Sequence, residues 1–64
     1  MKKPQAGQIW CLDYKEERLY YFVTATREED RVFSGWVYWN NMNEDFDSDA
    51  SMDWFINNCS LVSG

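Results

Sequence analysis

The sequence predicts an all-β fold: a small curled barrel of four to five antiparallel strands, with one short helical turn before the last strand, in a single domain over residues 1–64. Two observations lead there. Short runs dense in aromatic and β-branched residues recur along the chain, separated by polar turns. Two of those runs place bulky side chains at both odd and even positions, which line opposite faces of a strand. Closing such strands on themselves would remove the exposed edges that template aggregation.

The elements follow in order. Residues 8–12 (QIWCL) come after Pro4 and Gly7 and read as the first strand. Residues 13–18 form a charged loop. Residues 19–26 (LYYFVTAT) suit a pleated surface and read as the second strand. Residues 27–30 (REED) are a polar turn, and residues 31–39 (RVFSGWVYW) the third strand, with Gly35 marking a bulge or bend. Residues 40–50 (NNMNEDFDSDA) are a loop by composition. Ser51 then caps a single helical turn over residues 52–57, and Asp53 lies at its positive end. That turn is marginal alone, so Trp54, Phe55 and Ile56 are expected to anchor it. Residues 59–62 make the last strand.

Sixty-four residues are one domain, able to bury only about 60% of the surface exposed when unfolded. The 45% apolar and 19% aromatic content is too high for a disordered chain. No run approaches the roughly 20 apolar residues of a membrane span. The basic start Met1-Lys2-Lys3 has no apolar stretch behind it, so no secretory leader is expected and the predicted location is the cytoplasm. There Cys11 and Cys59 are expected as thiols. Pairing of the first and last strands would bring them near each other.

Charge is distributed unevenly. Lys2, Lys3, Lys15, Arg18, Arg27 and Arg31 are all the basic residues, whereas Glu44, Asp45, Asp47, Asp49 and Asp53 lie in a half with none. The net charge of −5 therefore comes from the C-terminal half. Such a surface repels phosphate backbones and attracts basic partners, so direct nucleic-acid binding is not expected.

The Gly-led opening Ala6-Gly7-Gln8-Ile9-Trp10, the aromatic turn at Trp54-Phe55 and the short strand to Leu61-Val62 resemble small bacterial and phage-type proteins of the Src-homology-3-like (SH3-like) barrel plan. The stretch from Asp53 to Asn58 resembles that family's closing turn. Peptide-binding members carry a proline and a tyrosine in the closing turn; Ile56 and Cys59 stand there instead, so the proline-rich-ligand function is not implied. The fold alone sets no function.

No enzyme active site, cofactor or metal site is expected. The chain has no histidine, the commonest general base and metal ligand. Two isolated cysteines make no zinc pattern. Asp45, Asp47, Asp49, Ser51 and Asp53 echo the alternate ligands of a calcium loop. However, Ala50 and Ile56 replace the glycine and glutamate such a loop requires, which leaves a solvated acidic loop.

The twelve aromatic rings exceed what so small an interior holds. Some are therefore expected at the surface as a partner site. The leading expectation is a protein-interaction module, of the kind a phage or prophage uses to inhibit a host factor. Glu44, Asp45, Asp47, Asp49 and Asp53 would meet a basic surface, and one or more of Trp36, Tyr38 and Trp39 would supply the anchor. Two alternatives stand beside it. Two or three of Trp10, Tyr20, Trp36 and Trp39, with a nearby carboxylate, could form an aromatic cage for a cationic peptide or small ligand. The aromatic face could instead bury itself in a homodimer or larger assembly.

Overall fold

The computed structural model describes residues 3–28 and 35–64. Five strands and one helix run in the order β1 (Ile9–Tyr14), β2 (Glu17–Glu28), β3 (Gly35–Asn41), β4 (Phe46–Ser51), α1 (Met52–Asn58) and β5 (Ser60–Ser63). All pairings are antiparallel, and the sheet order is β4-β3-β2-β1-β5. The all-β expectation holds. The expected barrel closure does not, because β4 and β5 are the two edges of an open sheet. The chain joins those edges through α1 instead of through a ladder. Each edge carries its own protection: β4 has outward carboxylates, and β5 is only four residues long.

The expected loop over residues 13–18 is largely strand. The β1–β2 ladder runs out to Tyr14 opposite Glu17, leaving Lys15 and Glu16 as a two-residue connection. Lys15 takes the positive φ of 59° that so tight a reversal requires. Asp13 and Arg18 face each other across the ladder and form an exposed ion pair at 2.7 Å. Of the expected turn over residues 27–30, Arg27 and Glu28 belong to β2; Glu29 and Asp30, like the first four residues of the expected third strand, lie outside the described residues.

The irregularity expected at Gly35 sits across the sheet. The register slips between Val23 and Ala25, so Thr24 is the extra residue, and its hydroxyl donates to the Tyr38 carbonyl at 3.2 Å. Gly35 opens β3 opposite Glu28 with φ of 128°. A Cβ there would collide with the Arg27 carbonyl and come within 2.9 Å of the Glu28 Cα. Gly35→Ala is therefore expected to cost about 2–3 kcal/mol, read as a lower urea midpoint. A variant as stable as the parent would show that this close approach is not required.

The largest correction concerns residues 40–50. Asn40 and Asn41 end β3, a turn follows, and Phe46–Ser51 is the edge strand β4. Aspartate and serine are poor strand formers, but an edge strand needs only one ladder and one inward face. Ser48 and Ala50 face inward opposite Trp39 and Val37, while Asp47 and Asp49 face outward opposite Asn40 and Tyr38. The buried Asn41 carboxamide oxygen organises the turn by accepting from the backbone N–H groups of Asn43 (2.9 Å) and Glu44 (3.2 Å).

The helix starts as expected. The Ser51 hydroxyl accepts from the Trp54 N–H at 3.2 Å, and Asp53 lies in the first turn. Its anchors differ in part from expectation. Met52 and Phe55, three apart on one face, are fully buried, Ile56 is half-buried, and Trp54 is 40% exposed. Met52, Phe55 and Cys59 pack with Trp10, Tyr21, Val23, Val37 and Trp39 into one core on a single face of the sheet. Gln8, also buried, accepts the Trp10 indole N–H at 3.0 Å and so satisfies the one polar atom that ring brings inside. None of the described helices is long and apolar enough to cross a membrane.

The two cysteines are free thiols. Cys11 pairs with Ser60, one residue from Cys59, but Cys59 turns into the core while Cys11 stands on the opposite face.

Candidate functional site: the helix-free face of the sheet

One helix covers one face, and among the described residues no secondary structure packs on the other. Side chains there alternate with those of the core. Tyr20 and Phe22 of β2 lie on it at 37% and 38% exposure, opposite the inward Tyr21 and Val23. Trp36, Tyr38 and Asn40 of β3 lie on it half-buried, between the buried Val37, Trp39 and Asn41. Directly opposed residues of antiparallel strands share a face, which adds Asp49 beside Tyr38 and Asp47 beside Asn40.

The Asn40 carboxamide nitrogen donates to Asp47 at 3.1 Å and reaches Asp45 at 3.4 Å, which fixes two of the carboxylates along the edge. Thr24, Tyr38, Asp47 and Asp49 line an open notch of about 290 Å³. Among the described residues no group of three or more cysteine or carboxylate side chains converges as a cation site.

The structure assembles part of the expected site. Trp36, Tyr38, Asp47 and Asp49 share the helix-free face, Asp45 reaches its edge through Asn40, and Glu44 lies in the β3–β4 turn. Trp39 departs from that group: at 4% exposure it faces the core, with Tyr21 stacked on it at 4.9 Å. Asp53 is also separate, because it stands on α1 over the other face. Phe22, which no sequence feature singles out, joins the face, as does Tyr20, expected only as a cage residue; the alternation in LYYFVTAT carries that signal. The four residues offered for an aromatic cage separate into two pairs. Trp10 and Trp39 are buried on the helix side, whereas Tyr20 and Trp36 stand on the other face.

Of the twelve rings, Trp10, Tyr21, Trp39 and Phe55 are buried, whereas Tyr14, Tyr20, Phe22, Phe46 and Trp54 are exposed. Trp36 and Tyr38 are intermediate, and Phe33 lies outside the described residues. Against protein-family models, curated proteins and solved structures, the chain gives no match.

Proposed function

We propose that this chain is a protein-interaction module that docks a basic protein surface on the helix-free face of its sheet. A single observation carries the reading: a group of rings, the exposed Phe22 and the half-buried Tyr38 and Trp36, that the helix does not cover and that Asp47, Asp49 and Asp45 border along one edge, with Glu44 in the adjoining turn. The carboxylates raise the encounter rate with a cationic surface, and the rings supply area that is desolvated on contact. Against a nucleic-acid enzyme they would stand in for phosphates, and the module would act as an inhibitor of the kind a phage accessory protein provides. The helical turn before β5 and the return of β5 to β1 support an SH3-like plan for the sheet.

The test is affinity capture from extract, comparing the parent with the double variant Asp47→Lys, Asp49→Lys and with Tyr38→Ala. A specific partner is expected to bind roughly 10–100-fold more weakly to each variant. Its binding to the parent should fall as salt rises, and its cross-links should join Lys- or Arg-rich segments to this face. Partners retained equally by all three proteins, or cross-linked through α1, would defeat the reading. Sedimentation of the parent alone separates self-association, in which Asp47 and Asp49 of two copies would oppose each other's approach.

A further inference from the structure

The two free edges of the sheet are not equivalent. β5 is four residues long, and its register with β1 slips between Ile9 and Trp10. A short, bulged edge is a poor template for a further strand. β4 is six residues long and pairs with β3 without a slip, from Trp36 opposite Ser51 to Asn41 opposite Phe46. In such a ladder alternate residues aim their backbone N–H and C=O groups away from the neighbouring strand. Among the described residues no strand takes those groups on the far side of β4.

The side chains of β4 select what can pair there. Asp47 and Asp49 stand exposed on the helix-free face, and the Asn40 carboxamide holds Asp47 at 3.1 Å. A strand laid alongside would bring alternate side chains to about 5 Å from these two. A second copy of β4, paired about Ser48, would set Asp47 against Asp49, so like charges oppose self-pairing. A strand with lysine or arginine at alternate positions sets opposite charges in the same places. On the helix side Ser48 and Ala50 are small and half-buried. With Asp49 they border an open groove of about 400 Å³ that Leu12, Trp39 and Trp54 also line. Apolar β-branched residues suit that side of an incoming strand.

We infer that β4 is a docking edge, which adds one extended strand from a partner, with basic residues beside Asp47 and Asp49 and apolar residues between them. Backbone hydrogen bonds supply affinity, and the alternation of side chains supplies selectivity. The inference rests on the proposed function for the partner's charge, and adds that the backbone of the edge makes part of the contact.

The probe is a capped peptide alternating lysine and valine over about seven residues, enough to run the length of β4. Two controls keep its charge: the same peptide N-methylated at every residue, which has no backbone N–H to donate, and one with its lysines and valines in separate blocks. Binding is read from backbone signals in nitrogen–proton correlation spectra and from amide hydrogen exchange. The alternating peptide is expected to shift residues 46–51 saturably at millimolar concentration or below and to slow exchange at alternate N–H groups of β4. Both controls should bind at least tenfold more weakly, and Asp47→Lys, Asp49→Lys should weaken the alternating peptide about tenfold. If that double variant does not fold, the methylated peptide decides. Equal binding of either control would overturn strand addition and leave docking on the helix-free face standing, as would shifts centred on Phe22 and Trp36 with no slowed exchange in β4. Captured partners indifferent to Tyr38→Ala would instead count against the face alone.

Discussion

Phe55→Ala is expected to leave most of the chain unfolded at 25 °C. Phe55 has no exposed surface and sits at the centre of the core. Its ring lies 5.3 Å from Trp10 in an edge-on contact, 5.1 Å from Trp39 and 6.2 Å from Tyr21. These partners come from β1, β3 and β2, so one side chain ties α1 to three strands. Truncating a buried phenylalanine to alanine costs about 3–5 kcal/mol, combining lost transfer energy with an unfilled cavity. A core in a chain this short supplies about the same amount in total.

The helix has no reserve of its own, because seven residues are too few to persist without packing. Its release would also expose Trp10, Tyr21 and Trp39 on a sheet whose two edges are already unpaired. Near-ultraviolet circular dichroism should lose its aromatic signal, and sedimentation should show aggregates. Two neighbouring substitutions set the scale. Phe55→Leu keeps most of the volume and should cost about 1.5 kcal/mol. Trp54→Ala, one residue away but 40% exposed, should cost about 1 kcal/mol and leave the fold in place. A Phe55→Ala protein melting within a few degrees of the parent would mean that α1 is not what holds the sheet.

How much of this was legible depends on the range of the forces involved. Period-two alternation separates Tyr21 and Val23 from Tyr20 and Phe22, and Val37 and Trp39 from Trp36 and Tyr38, because strand geometry alone imposes it. Ser51, Asp53 and the aromatic run after them mark a helix start, because capping is local. Which face turns inward is not local. Trp39 reads as an anchor equal to Trp36 until α1 is placed against one side of the sheet. Strand β4 is hidden for a related reason: Asp47, Ser48 and Asp49 have little intrinsic preference for extended backbone and acquire it from the β3 ladder. The reversal at Lys15 and Glu16 carries no glycine or asparagine to announce it, and the ladder register on either side imposes the turn. Barrel closure would require β4 and β5 to find each other across α1, a pairing that no short-range pattern encodes.

The second large effect is alkaline unfolding driven by one thiol. Cys59 lies at the junction of α1 and β5, where its backbone N–H closes the helix on the Phe55 carbonyl at 2.9 Å. Its side chain is buried in the core, and burial, reinforced by Cys11, pushes its pKa up to about 12. An unfolded cysteine titrates near 8.5–9. The folded value is raised, so this contribution to stability is fully present below about pH 9 and is lost as pH rises towards 12. Within that window the unfolded chain releases a proton that the native chain retains, and each pH unit costs about 1.4 kcal/mol. By pH 10.5 the loss is about 2 kcal/mol, a large share of what so small a core supplies. Tyr21, raised first by its own burial and then by Cys59, adds to the slope above pH 10. Urea midpoints measured from pH 8 to 10.5 should therefore fall steeply for the parent. In Cys59→Ala they should start lower, because a buried group is missing, and then decline more gently, so that the two curves converge. Cys11→Ala should keep the steep slope, since that thiol lies on the face the core does not use. Parallel curves for the parent and Cys59→Ala would assign the alkaline loss to other groups and would mean that the junction holds its thiol in water.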